Sequence, residues 1–174
     1  MREPSIVPTT VERFFPEDEI IVSKTDLKGH ITYANETFLK IAGYTEAEVL
    51  GKAHSIIRHP DMPRCVFKLL WDTLGARSEI FAYVKNMAKS GDFYWVFAHV
   101  TPTFDDAGRV IGYHSSRRVP ERAQVELFTN VYAQLVQEEK RHADWRSGME
   151  AAGKMLLDMI ASKGMKYDEF IFSV

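Results

Sequence analysis

The run Arg58-His59-Pro60-Asp61-Met62-Pro63 places a guanidinium, an imidazole and a carboxylate on a segment pinned by two prolines. Each proline fixes its own φ and biases the residue before it toward extended backbone. His59 and Met62 are thereby kept out of regular helix, and the polar side chains sit on a short stiff loop. Such a loop can aim donors and an acceptor at one ligand. The simpler alternative is a helix-entry loop in which Arg58 and Asp61 pair, a contact that contributes about 0–1 kcal/mol when exposed. Other groups with chemical potential are scattered: His54, His99 and His114, Asn86, and the single cysteine, Cys65. One cysteine excludes an intramolecular disulfide framework and a Cys-rich metal cluster. No Ser-His-Asp or Cys-His spacing, zinc motif or phosphate-binding glycine loop is present, so an enzyme is not expected.

The elements around the loop read as follows. Residues 1–18 carry three prolines and a small apolar cluster, Val11, Phe14 and Phe15, and predict a flexible start followed by a short amphipathic turn or helix. Residues 19–24 and 30–33 predict a β-hairpin around the Asp26–Gly29 turn. Asn35 is an N-cap for a helix over Glu36–Ala42 that Gly43 ends. Thr45 and Glu48 form a capping box for a second short helix. After the proline loop, Val66, Phe67, Leu70, Trp71 and Leu74 recur at helical spacing, predicting a helix from Pro63 or Arg64 to Leu74. Residues 79–87, 93–103 and 109–117 are three strands joined by the turns Lys89-Ser90-Gly91-Asp92 and Asp105-Asp106-Ala107-Gly108. The fold class is α+β, an antiparallel sheet with helices collected on one face.

Beyond Pro120 two apolar stripes, Val125-Phe128-Tyr132-Leu135 and Trp145-Met149-Ala152-Leu156-Met159, lie out of phase across the charged segment Glu138–His142. They predict two amphipathic helices, or one with a break, that must bury against the domain, a second subunit or a partner. The tail around Tyr167–Phe172 is a short strand or a docked end. The organisation is thus an N-terminal cap segment (1–18), a domain (19–118) and a C-terminal helical extension (119–174). Of 174 residues 45% are hydrophobic, and the net charge is −2. No basic patch suggests nucleic acid, and no apolar run approaches the roughly 18 residues of a membrane span. The N-terminus lacks a signal-peptide core, so a reduced, cytoplasmic setting is expected.

The segments Asp26-Leu27, Ile31-Thr32-Tyr33-Ala34-Asn35-Glu36-Thr37-Phe38, Gly43-Tyr44-Thr45 and Gly51-Lys52-Ala53-His54 resemble the first half of a PAS domain. The proline loop, with Val84-Lys85-Asn86 and Lys89-Ser90-Gly91-Asp92-Phe93-Tyr94-Trp95-Val96, is similar to the FAD-binding PAS domain of bacterial aerotaxis receptors. The resemblance implies a five-stranded antiparallel sheet whose inner face, with the helices, encloses non-covalently bound FAD, a redox or oxygen-linked sensor rather than a catalyst. By matching positions, Asn35, Arg58, His59, Asp61, Phe67 and Trp71 would line or support the flavin site. Arg58 and His59 would face the diphosphate, and Asp61 would orient one of them. Asn86 matches the asparagine that bonds the isoalloxazine edge in light-sensing flavin PAS domains, and His114 stands where those domains place a glutamine that senses N5. Two departures are visible. Ile80-Phe81-Ala82 replaces a Trp-Ser-Gly, a bulkier lining expected to narrow the slot. His54 stands where light-sensing domains carry their reactive cysteine, so adduct photochemistry is not expected. The histidines leave haem b as an alternative ligand, although the helix over residues 64–74 carries none; a cofactor-free interaction module is the other alternative. The amphipathic termini favour a homodimer, a signalling partner such as a chemoreceptor or kinase is expected, and with no span following the domain it reads as a stand-alone PAS protein.

Overall fold

β-Branched and aromatic runs form five strands in the computed structural model, which describes residues 6–174: β1 (Ile21–Thr25), β2 (Ile31–Ala34), β3 (Ile80–Met87), β4 (Phe93–Phe104) and β5 (Val110–Arg118). Their order is β2-β1-β5-β4-β3, and every neighbouring pair is antiparallel. Between β2 and β3 come α1 (Glu36–Ala42), α2 (Glu46–Val49), a 3-10 turn (His54–Ile57) and α3 (Arg64–Gly75). The five-stranded antiparallel sheet with helices is the expected fold.

The sheet has two hydrophobic faces. Ile21, Tyr94, Val96 and Ala98 pack inward with Phe38, Ile41, Val49 and Ile57 of the helical layer. Tyr83, Trp95 and the partly buried Phe81, Phe93 and Phe97 point outward, as the two-residue side-chain period of a strand requires. That outer face is covered by the chain itself, through α4 (Arg122–Lys140) and α6 (Tyr167–Ser173), with α5 (Trp145–Ala161) packed on α4 and α3. Val125, Phe128, Tyr132 and Leu135 bury as one stripe of α4. In α5 the buried set is Gly148, Ala152, Leu156 and Ile160, while Trp145 stands half-exposed under the guanidinium of Arg64. Of the three candidates for burying the stripes, the chain itself takes both, with α4 against the sheet and α5 against α3 and α4. Asp144 caps α5 by accepting from Arg146 and Ser147, which fixes the break between the helices. A Cβ at Gly148 would stand 2.3 Å from the Glu139 carbonyl oxygen, so only glycine lets α5 fold back onto α4 so closely.

The N-terminal segment settles differently from its reading, and the tail takes the docked alternative. The flexible start falls on residues 1–5, outside the described residues, and residues 9–13 are extended rather than helical: Thr9 donates to Gly91 O, Phe93 to Val11 O and Arg13 to Phe93 O. Prolines at 8 and 16 leave too little uninterrupted chain for a stable helix, and the β3–β4 turn offers unpaired backbone partners. The tail is a docked helix, α6, with Glu169 accepting from the Lys166 N–H at its first turn and the Tyr167 hydroxyl donating to Phe81 O.

Both sheet edges are closed by loops. Ile31 of β2 exchanges backbone bonds with Gly51 and Lys52. Along β3, Arg58 bridges Asn86 and the Lys85 N–H points at Met62 Sδ. The proline loop is thus an edge cover of β3.

Candidate functional site

A cavity of about 320 Å³ lies between the inner sheet face, the 3-10 turn and α3. α3 presents Phe67, Leu70, Trp71 and Leu74 to it, positions one helical face apart. Its opposite side, Cys65, Val66 and Leu69, packs into the outer cluster with α4 and α5. The helix read as one stripe therefore serves two layers. Val84, Ala98 and Val100 supply the sheet wall, and Trp71 meets Tyr113 edge-on at 5.4 Å. Trp71 is 43% exposed, which marks it as part of the cavity mouth. Gly29 sits beneath it with φ 79°, a left-handed conformation suited to glycine, and a Cβ there would press on the indole at 3.2 Å.

Of the residues named from sequence, Arg58, Phe67, Trp71, Asn86 and His114 border the cavity. Arg58 does not pair with Asp61; its guanidinium lies 4.0 Å over the Phe67 ring. Asn86 is buried beside it on β3. His114 borders from the strand, but its register partners are Lys24 and Thr101, whereas Tyr113, Ser115 and Arg117 share the face of Thr25, Ser23 and Ile21. Strand alternation thus turns the His114 ring to the outer face. His99, stacked on Phe81 at 4.1 Å, is also on that outer face, and of the three histidines considered for haem only His54 faces the cavity.

Asn35, His59 and Asp61 do not line the cavity. Asn35 Oδ1 accepts from Phe38 and Val22 while its Nδ2 donates to Ile20 O, so the side chain is spent on capping α1 and tying it to β1. His59 is buried against Phe93, its Nδ1 accepting from the Asp61 N–H. Burial, reinforced by the charge of Lys85, lowers its pKa to about 4. Asp61 is 65% exposed and pairs with Lys85 at 2.7 Å. The expected narrowing at Ile80-Phe81-Ala82 is also corrected: Phe81 points outward and stacks with His99, Phe97 and Phe172, leaving Ile80 and Ala82 on the inner face. Cys65 lies off the cavity, its thiol pushed up to about 12 by burial and by Glu139.

A second polar group lies on the wall, and of its members only His54 is singled out by the sequence. Ser23 Oγ lies 3.0 Å from His54 Nε2 and accepts from Arg117 Nη2. His54 packs edge-on to Phe38, and burial, then the charge of Arg117, lowers its pKa to about 3, so it is neutral. The signal for Arg117 was its inward place in the β5 alternation, which the adjacent pair Arg117-Arg118 concealed. The result is an apolar slot with an amide and two guanidinium groups on its walls, the pattern of a site for a planar, polar-edged small molecule.

A family model described as PAS fold matches residues 31–117. Over 101 residues the chain is 43% identical to the aerotaxis receptor of Escherichia coli (strain K12), covering 58% of this chain and 20% of that protein. It is 28% identical over 117 residues to a nitrogen fixation regulatory protein of Klebsiella pneumoniae, covering 67% of this chain and 23% of that one. The chain spans about a fifth of the length of these curated relatives. Among solved structures, the dark structure of the blue-light photoreceptor Aureochrome1 LOV superposes with a TM-score of 0.56 at 22% identity, over 63% of this chain and 82% of that chain. That likeness establishes the fold.

Proposed function

The chain belongs to the PAS-fold family, and from that membership we propose that it is a redox-linked sensory module holding FAD non-covalently in the cavity. The observation that carries the reading is the composition of the slot. Phe67, Leu70, Trp71, Leu74, Val84 and Val100 form apolar walls, and Asn86 offers an amide beside them. A flavin requires that combination, apolar contact for the rings and a few directed polar partners for one side. At about 320 Å³ the cavity suits the ring system, with the phosphate-bearing tail directed to the cations Arg58 and Lys28 that border it. The 43% identity over 101 residues to an aerotaxis receptor supports a sensory use.

Signalling in this proposal runs through α3, the element shared by the cavity and the C-terminal helices. A change in the ligand biases the packing of α3 between two arrangements, and α4–α5 report the bias. The ligand is read, not turned over. The signalling partner, such as a chemoreceptor or kinase, or a second copy of the chain, engages surface outside the buried stripes of α4 and α5. Titration of the purified protein with FAD, followed by quenching of flavin fluorescence, tests the ligand. Saturable one-to-one binding is expected; absence of saturable binding contradicts the proposal.

A further inference from the structure

Arg117 is 2% exposed, and its Nε and Nη1 have no hydrogen-bond partner in the chain. Nη2 donates to Ser23, the Phe38 ring lies 5.3 Å from the guanidinium carbon, and the buried Tyr94 hydroxyl, also without a hydrogen-bond partner, is near enough to interact with the charge. No carboxylate among the described residues pairs with it. A guanidinium can only donate, and burying such a charge without a counter-charge is costly to a fold. Structural arginines in protein interiors have their donors satisfied within the chain. An arginine that serves a ligand has donors left over and faces a cavity, and Arg117 is on the cavity wall.

The surroundings restrict what the partner can be. Ser23 accepts from Arg117, and neutral His54 lies within reach of the same hydroxyl, so neither supplies negative charge. Ala98 and Val100 beside it are apolar. The missing partner must therefore bring acceptors without donors: a pair of carbonyl oxygens, or a carbonyl beside a deprotonated ring nitrogen. The other guanidinium, Arg58, bridges Asn86 on β3, two strands away from β5. The register Arg117–Ala98–Ala82 sets Asn86 four residues further along β3. At ordinary strand dimensions the two backbone positions are roughly 16 Å apart, so Arg117 and the Arg58–Asn86 pair stand well separated along the cavity wall.

We propose that Arg117 is the ligand-orienting residue of the cavity, donating from its free Nε and Nη1 to a ring carbonyl of the flavin and to the unprotonated ring nitrogen beside it, while Arg58 meets the phosphate-bearing tail; this rests on the flavin reading above. Arg117 is then a group held at the expense of the empty protein's stability and satisfied when the ligand enters.

The test uses the full chain with riboflavin, FMN and FAD as probes, and the variants Arg117→Met, Arg117→Lys and Arg58→Ala. Methionine keeps most of the length and apolar contact. Arg117→Met is expected to raise the melting temperature of the ligand-free protein while weakening all three flavins by the same factor, ten-fold or more. Arg117→Lys should recover part of that affinity. Arg58→Ala should weaken FMN and FAD but leave riboflavin within two-fold. If Arg117→Met binds the three flavins as the parent does, or lowers the ligand-free melting temperature, the inference is overturned and the flavin reading stands. If the parent chain binds none of the three, both fall.

Discussion

Arg58 and Asp61 are three residues apart yet face different surroundings, so their substitutions should separate. Asp61→Asn removes an exposed partner of Lys85 and should lower stability by about 0–1 kcal/mol in urea denaturation, with FAD affinity unchanged. Arg58→Ala should reduce FAD affinity roughly ten-fold, the scale of one lost charge-assisted bond. In sequence the two appear equivalent because the loop places them together; what divides them is the β3 edge, which holds Arg58 toward Asn86 and Asp61 toward Lys85. His54 and His59 give a pH prediction. Their folded-state pKa values, about 3 and about 4, lie below the ordinary histidine value of 6.5. Between those values and 6.5 the unfolded chain binds more protons than the folded one. Their contribution is therefore complete above pH 6.5 and is lost as pH falls toward 4. Thermal melts should be flat from pH 7 to 8 and decline below 6.5, with a slope approaching about 1.4 kcal/mol per pH unit for each histidine. His54→Asn should flatten the decline; an unchanged slope in that variant contradicts the assignment.

At the scale of elements, α3 is the piece on which the site and the C-terminal helices meet. It has no acidic residue in its first turn and no side-chain cap of its own. Glu139 of α4 supplies the acceptor for the Cys65 N–H at 2.9 Å. Glu139→Ala should cost about 1 kcal/mol, as loss of a helix cap does, and should speed hydrogen exchange at the start of α3; equal exchange would show that the cap is idle. Tyr132→Phe should cost about 1–3 kcal/mol in the same urea assay, because it leaves the buried Tyr83 carbonyl without its 2.6 Å partner. The strands, α1, α2 and α3 were legible because caps, turns and periodicity act locally. The two sides of α3 were not, since Val66 and Phe67 are both apolar and only the packing of α5 shows which one faces the cavity. On β5 the turn and strand were clear, but a site residue is fixed by which face alternates inward; resemblance pointed to His114 where the register points to Arg117.

At the scale of the molecule, a sheet with apolar side chains on both faces needs two covering layers. α1 to α3 form one around the cavity, and α4 to α6 form the other. The second layer was legible as two stripes without a partner, because a sequence shows that a stripe must be buried and not what buries it. Leu135 is fully buried there, and Leu135→Ala should cost about 2–5 kcal/mol in urea denaturation while leaving residual flavin affinity in the folded fraction intact. Flavin binding should in turn slow hydrogen exchange in α3 and at the α4–α5 junction, the route proposed for the signal. All of this depends on one identification. The most direct measurement is the visible absorption spectrum of the purified full chain after incubation with FAD and removal of free ligand, before and after dithionite. A flavin held in the cavity gives a yellow protein with the paired absorption bands of an oxidised flavin that bleach on reduction. A colourless protein that leaves all FAD in the filtrate, or one showing a Soret band instead, would contradict that identification.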